Sequence, residues 1–495
     1  MKINVSNYIV STCKKWSDYN FISDENSKEI YTYGKYFDKI ELSINYLHDS
    51  GLNENDFVVI EIDNSIASLA LFMGMLVSHI IPILVSPNIK ANEMKKICAN
   101  SNPKAWFYST MNKKVLKNTE DLKFIPIIDV ENAVNSYETK YKSNCSNIAY
   151  IVYTSGTTGS PKRVEISHEN MLSEIESMAV SYNMTRNDRN MCILPLYHAS
   201  SLYRSILITF HTGGWVKLYK EFSYENFWSN IHSDKITFVQ IVPSIMKILL
   251  AHKDCFSDGH QKSLRFVGSA SDLHPVELVK DFESSFDVYL LQSYGMTEAT
   301  CCITLNPLNK KHRSMGSVGK PISVNSIKIL DKNNNSLPVN KIGKIVVSGR
   351  NITNHDIKDK NNSKELDTGD TGYLDGKGFL WLVGRDEDII KRAGYRISPY
   401  EIESAILKIH PNFDVAVLGV EHDLLGQDII AFVDKKLSVI CERDLIKELK
   451  FNLASYKMPS EIIFLDDIPL IGVGKVDKVK LKELYKSNKI RYKLP

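Results

Sequence analysis

The sequence predicts an α/β protein: a large unit of mostly parallel sheet with helices on its faces, then an antiparallel piece and a smaller C-terminal unit. Three observations carry this. Short apolar strands alternate with helical patterns from residue 57 onward, the order that builds parallel sheets. An apolar run from Asn147 to Tyr153 breaks into hydroxyls and glycines, Thr154-Ser-Gly-Thr-Thr-Gly-Ser160, before Pro161 and Lys162. From about Gly343 the texture changes to strand pairs around Leu374-Asp-Gly-Lys-Gly-Phe379, in which Asp375-Gly376 is a hairpin signal.

The elements follow in order. A helical pattern covers Tyr33 to Leu47, and Phe57 to Asp63 reads as a short strand. Ser68 to Val85 is apolar enough to suggest a membrane span, but Ser78, His79 and Pro82 interrupt it. It reads instead as a buried helix over 68–79 and a buried strand over 81–86. Ala105–Tyr108 and Phe124–Ile128 continue the alternation. Ser167-His-Glu-Asn170 opens a helix through Val180 with a hydroxyl cap. Met191–Leu196 reads as a strand ending in Tyr197-His198-Ala199-Ser200-Ser201, and Trp215–Tyr219, Phe238–Ile241 and Leu264–Val267 as further strands. Lys344–Ser348 and Phe379–Val383 form the antiparallel piece. The polar break Gly384-Arg385-Asp386-Glu387-Asp388 marks a boundary near 385–389, dividing the chain into 1–385 and 386–495.

Composition narrows the function. A chain of 495 residues builds two or three domains. Hydrophobic residues at 43% and charged residues at 24% are those of a soluble globular protein. A net charge of +3 gives no basic field, which disfavours nucleic acid as a partner. The N-terminus lacks a signal-peptide pattern. The eight cysteines form no Cys-x-x-Cys, so reduced thiols in the cytoplasm are expected.

The chemistry concentrates in a few stretches. Gly156 and Gly159 let the 154–162 loop approach a ligand closely. Thr154, Ser155, Thr157 and Thr158, bare N–H groups and the Lys162 ammonium together suit a polyphosphate. The order is not that of a Walker A loop, because Pro161 stands where a helix would start. Leu291-Gln-Ser-Tyr-Gly-Met-Thr-Glu298 follows an apolar strand; its adjacent hydroxyl and carboxylate can hold a phosphate and Mg²⁺, or can be a solvated loop. Asp370, on a turn, can accept both hydroxyls of a ribose, although Thr-Gly-Asp is common in turns. Lys475, in the glycine-rich Pro469-Leu-Ile-Gly-Val-Gly-Lys475, reads by default as a surface charge.

Tyr153-Thr-Ser-Gly-Thr-Thr-Gly-Ser-Pro-Lys162 resembles the phosphate loop of the acyl-adenylate-forming enzymes, which include acyl- and aryl-CoA synthetases, peptide-synthetase adenylation domains and beetle luciferase. The likeness spans roughly residues 30–480, with five motifs in the family's order. One departure is Arg163, where the family has glycine; it would crowd the loop or add a phosphate contact. The resemblance implies a distorted β-barrel piece closing the N-terminal domain of stacked sheets, and a small α+β C-terminal domain that rotates about a hinge at Glu387. It implies Tyr294 and Gly295 against adenine, Thr297 at the phosphate, Glu298 on Mg²⁺, and Gly268-Ser269-Ala270-Ser271 as adenine and acyl-pocket wall. It also implies Asp370 and Arg385 on the ribose, Gly394 beside the incoming thiol, and Lys475 holding the acyl carboxylate and α-phosphate together. His198 gates the acyl pocket, orients the carboxylate or is structural.

The implied reaction converts a carboxylic acid and ATP to acyl-AMP, then passes the acyl group to the phosphopantetheine thiol of CoA or a stand-alone carrier protein. No aspartate lies in 195–203 to hold an α-ammonium, which favours an acid without an α-amino group over an amino-acid-activating enzyme. A luciferase-like oxygenase and a non-catalytic AMP/ATP-binding homologue are the other readings. The chain ends about twenty residues after Lys475, so the acceptor is expected in trans. The expected assembly is a monomer or homodimer without a membrane span.

Overall fold

A computed structural model describes the chain except for residues 1–3, 26–28, 110–121, 128–145, 155–161, 272–273, 354–364, 386–387, 411–412, 435–441, 472–474 and 488–495, and the side chains of residues 396, 442, 471 and 475. Two large sheets dominate the N-terminal part. One has six strands in the order Lys123–Pro126, Ala105–Tyr108, Phe57–Glu61, Ile81–Val85, Ile148–Thr154 and Lys162–Ser167, parallel except for the last. The other has nine strands; at its centre Trp215–Leu218, Arg189–Cys192, Phe238–Ile241, Phe266–Ser269 and Leu290–Tyr294 run parallel side by side.

The largest core cluster joins the inner faces of both sheets. It unites Ile60, Leu84, Tyr150 and Val152 of the first with Phe238, Phe266 and Leu291 of the second, through helices Tyr33–Asp49, Ile66–Val77 and His168–Ser181. Ile66–Val77 is buried at every position from Ser68 to Val77, which is why its sequence is apolar all round rather than amphipathic. The stretch that mimicked a membrane span is thus this helix and the strand Ile81–Val85, and no described helix is long and apolar enough to cross a membrane. His168–Ser181 starts with a full capping box: Ser167 Oγ accepts the Asn170 N–H and Asn170 Oδ1 accepts the Ser167 N–H.

Downstream lie a four-stranded antiparallel sheet, Asn325–Leu330, Gly343–Gly349, Glu365–Leu374 and Leu380–Arg385, and then a five-stranded sheet with helices Pro399–Ile409 and Glu442–Asn452. The antiparallel sheet does not close into a barrel among the described residues. The expected hairpin is present: Leu374 pairs with Leu380, and the Asp375 carboxylate accepts the Lys377 and Phe379 N–H groups and Trp381 Nε1. One strand is shorter than its sequence suggests. Met191–Leu196 pairs only as Arg189–Cys192; beyond it Ile193, Leu194 and Leu196 are apolar because they are buried, while Pro195 has no N–H for a ladder. The six described cysteines outside 145 and 441 are all free thiols.

Asp188 sets the starting ends of three central strands. Its buried carboxylate accepts from the Thr185 N–H at 2.8 Å, Thr237 Oγ1 at 2.8 Å and Arg265 Nη1 at 2.6 Å, one group before each of Arg189–Cys192, Phe238–Ile241 and Phe266–Ser269. Asp188→Ala leaves those donors without their acceptor and should cost roughly 3 kcal/mol, measured as a lowered melting temperature.

Candidate active site

The hydroxyl loop sits at the tip of a hairpin. Ile148–Thr154 and Lys162–Ser167 are antiparallel, and their last register pair is Thr154 with Lys162. The chain continues after the loop as a strand, Lys162–Ser167, not as a helix. Ser155, Gly156, Thr157, Thr158 and Gly159 lie outside the described residues. The root of the loop is positioned: Lys162 Nζ lies 3.5 Å from Glu298 Oε1. Arg163 is engaged on the other side of the strand. Alternation along the strand sends it to the opposite face from Lys162. There its guanidinium pairs with Glu165 at 2.7 Å, donates to Ser101 Oγ at 3.1 Å and covers the Phe57 ring.

Glu298 is carried by the turn after Leu290–Tyr294. Gly295 approaches the Cys301 carbonyl so closely that a Cβ there would stand 1.8 Å from its oxygen. The chain then makes one 3₁₀ turn, Thr297–Ala299, and the Glu298 carbonyl accepts the Thr353 N–H at 2.9 Å. Tyr294, at the strand's end, donates its hydroxyl to Asp370 Oδ2. Arg385 Nε stands 3.4 Å from Asp370 Oδ1, and the two residues are register partners. Burial, then the Asp370 carboxylate, holds the Tyr294 phenol protonated. The sequence placed Asp370 on a turn. It lies instead inside the long strand Glu365–Leu374, next to Gly369 in the left-handed region and to a register shift at Thr371. Two groups of candidates, Lys162 with Glu298 and Tyr294 with Asp370 and Arg385, are therefore joined by one four-residue turn.

Sequence reasoning missed what holds that turn from behind. Glu174, fully buried on helix His168–Ser181, accepts the Cys302 N–H at 2.6 Å and Asn351 Nδ2 at 2.8 Å. Burial pushes its carboxyl up to about 8. Asn170 on the same helix donates to the Arg350 and Ile352 carbonyls. The only sequence signal was a carboxylate between Leu172 and Ile175, on the helix face that carries Met171 and Met178.

Gly268, Ser269 and Ala270 end the neighbouring strand, where Ser269 is register partner to Gln292 and Ser293 Oγ donates to the Ser269 carbonyl at 3.3 Å. Ser269 Oγ also bonds His274 Nε2 at 2.6 Å. His198 follows Arg189–Cys192 and caps the short helical turn Ala199–Ser201, its ring 4.3 Å from that of Tyr197. His198, Ser269, Tyr294 and Glu298 lie at or beyond the C-terminal ends of parallel strands, where open α/β sheets place their ligands. Gly394 forms the tip of a tight hairpin with Ala393, both at positive φ, and no atom lies within 4 Å of where its Cβ would be. Lys475 pairs through its backbone with Ile471. Its side chain and Glu387 lie outside the described residues. Nearby, Lys478 Nζ binds Asp388 at 2.8 Å.

Among the described residues no three His, Cys, Asp or Glu side chains gather as a metal nest. Glu298, 13% exposed, offers one carboxylate, which suits Mg²⁺ completed by phosphate oxygens and water rather than a protein cage. Gly295→Ala drives a methyl group into backbone and should cost at least about 3 kcal/mol, seen as a fall in melting temperature larger than that of Gly376→Ala, whose side is open.

Comparison with known proteins agrees with this geometry. The family model of AMP-binding enzymes matches residues 10–355, and that of the AMP-binding enzyme C-terminal domain matches residues 401–475. The chain is 33% identical to an oxalate–CoA ligase of Saccharomyces cerevisiae, over 79% of this chain and 71% of that protein. It is 28% identical to an oxalate–CoA ligase of Arabidopsis thaliana over 96% and 97%. A sulfoacetate–CoA ligase of Cupriavidus necator is 31% identical over 67% and 66%. Among solved structures, ATP-bound MatB from Rhodopseudomonas palustris superposes with a TM-score of 0.88 at 24% identity, covering 98% of this chain and 99% of that one. O-succinylbenzoate CoA synthetase from Bacillus subtilis, with ATP and magnesium ion, gives 0.85 at 24% identity over 96% and 99%. The structural likenesses establish the fold; the family model and the yeast relative establish that this chain belongs to the AMP-binding enzyme family.

Proposed function

We propose that the protein is an AMP-forming acid–thiol ligase that activates a carboxylic acid with ATP and passes the acyl group to CoA. In the first step a carboxylate oxygen attacks the α-phosphorus, the bond to the β-phosphate breaks, and pyrophosphate leaves with its electron pair. In the second a phosphopantetheine thiolate attacks the acyl carbonyl and AMP departs. Neither step needs a protein nucleophile. Catalysis is positioning and stabilisation of charge on phosphate oxygens.

The observation that carries this reading is the meeting of Lys162 with Glu298 at the root of the hydroxyl loop, one turn from the Tyr294–Asp370–Arg385 group. Lys162 and residues 154–159 hold the β- and γ-phosphates, and Thr297 the α-phosphate. Glu298 is the carboxylate that holds Mg²⁺, which supplies charge neutralisation when bound. Tyr294 and Gly295 flank adenine, with Gly268, Ser269 and Ala270 as the wall toward the acyl group. Asp370 takes the ribose hydroxyls in place of its present partners, and Arg385 follows it. His198 orients the acid. Lys475 bridges carboxylate and α-phosphate during adenylation and withdraws when residues 386–495 turn about Glu387. The unhindered side of Gly394 then admits the thiol. CoA is favoured over a carrier protein because the relatives named above are CoA ligases. Free thiols at all described cysteines suit a reducing compartment, the cytoplasm.

Exchange of labelled pyrophosphate into ATP, dependent on a carboxylic acid, tests the reading; ATP binding without exchange for any acid overturns it. Lys475→Ala should lower adenylate formation by a factor of about 100 or more and spare thioester formation from supplied acyl-AMP. Equal loss in both steps removes the role given to Lys475. With the acid in place, CoA alone should release AMP; release that waits for an acylated carrier protein would reassign the acceptor.

A further inference from the structure

Arg204 is the one charged residue in the apolar run Leu202 to Phe210, and it is 2% exposed. It lies on a wide π-helical turn, Leu202–Leu207, that packs against the inner face of the nine-stranded sheet. Its Nη1 donates to two hydroxyls, Tyr182 at the end of helix His168–Ser181 and Ser293. A guanidinium carries five N–H donors and cannot be neutralised. Its Nε has no acceptor among the described residues, and no described carboxylate forms an ion pair with it. Glu174 interacts with it only at longer range. That carboxyl turns its oxygens to the Cys302 N–H and Asn351 rather than to the guanidinium, and burial raises it. The remaining neighbours, the Tyr182 hydroxyl and the Cys301 and Cys302 thiols, are held neutral by burial. A buried cation with no carboxylate in contact and an unused N–H is costly, and an incoming negative group would relieve that cost.

The position says where that group comes from. Ser293 precedes Tyr294 in the strand that carries the nucleotide candidates, and its Oγ reaches the Ser269 carbonyl. On the same face of the sheet as Ser293 lie Gln240 and Gly268, register partners on adjoining strands, the latter leaving no side chain of its own. Arg204 therefore stands, through Ser293, beside the Gly268–Ser269 wall assigned to the acyl group. We propose that Arg204 receives a second anionic group on the acid substrate, so that the enzyme selects short acids carrying a further carboxylate or sulfonate at the end away from the activated carboxyl. This rests on the ligase reading above and adds to it the class of acid and the residue that chooses it. A bidentate guanidinium–carboxylate pair shielded from water gives such selection both strength and geometry.

Pairs of acids that differ only by replacing one carboxylate with an isopropyl group test it: oxalate against 2-methylpropanoate, malonate against 3-methylbutanoate, succinate against 4-methylpentanoate. In pyrophosphate exchange by the full chain, at least one diacid should exceed its isostere in kcat/KM by a factor of about 100 or more, the scale of a binding site left with an unpaired charge. Arg204→Met should cut that ratio at least tenfold, chiefly through a raised KM for the diacid, with KM for ATP unchanged; Arg204→Lys should restore part of it. Preference for the isosteres in the wild type, or equal loss for both acids in Arg204→Met, overturns the proposal and leaves Arg204 a structural bridge between Tyr182 and Ser293. Thermal shift reads the inference apart from turnover. With α,β-methylene-ATP present, a diacid should raise the wild-type melting temperature and not that of Arg204→Met; absence of any diacid-specific shift overturns the proposal. Exchange with no acid of either kind, beside a diacid-specific shift, would sink the ligase reading and spare the anion site.

Discussion

The arrangement of the site depends on how one strand ends. Leu290–Tyr294 is the last parallel strand of the nine-stranded sheet and must stop so that Tyr294 meets Asp370 and, four residues later, Glu298 meets Lys162. The chain achieves this by laying Gly295 against the Cys301 carbonyl, an approach that leaves no volume for any side chain. Everything that converges there belongs to different layers: the hairpin of the six-stranded sheet, the end of the nine-stranded sheet and the antiparallel strands Glu365–Leu374 and Leu380–Arg385. A shift in the turn would separate all three. Its fixity is secured by Glu174 and Asn351, whose hydrogen bonds inside the core are strong because water is absent and costly to lose for the same reason.

Much of the framework was legible in the sequence because it is written in local patterns. The all-apolar helix under the first sheet, the capping box at Ser167 and the Asp375-Gly376 hairpin all follow from residues within a few positions of one another. The candidate site was legible where a motif packs its chemistry into one short stretch, as in Tyr294–Glu298, whose two ends meet Asp370 and Lys162. Met191–Leu196 misled because apolar residues are apolar whenever they are buried, strand or not. Asp370 misled because Thr-Gly-Asp has turn composition, while the strand absorbs the glycine as an irregularity.

The residues that escaped the sequence act through long-range pairings. Glu174 meets Asn351 and Cys302 across more than a hundred residues, and Arg204 meets Ser293 across 89. No periodicity announces such contacts; a polar residue inside an apolar pattern is the only trace they leave. Arg163 shows the opposite case. Next to a conspicuous motif it invited a functional role, yet strand alternation turns it to the far face, where Glu165, Ser101 and Phe57 absorb its charge.

The bond from the Tyr294 hydroxyl to Asp370 bears on how nucleotides would be told apart. Since that aspartate is already engaged by Tyr294 and Arg385, a sugar entering there trades partners instead of filling a vacancy. If Asp370 takes the ribose as proposed, such a swap would add little net affinity for the correct sugar. It would penalise a sugar lacking a hydroxyl, which displaces the old bond without replacing it, so on the proposed reading the contact would work as a filter for ribonucleotides more than as an anchor.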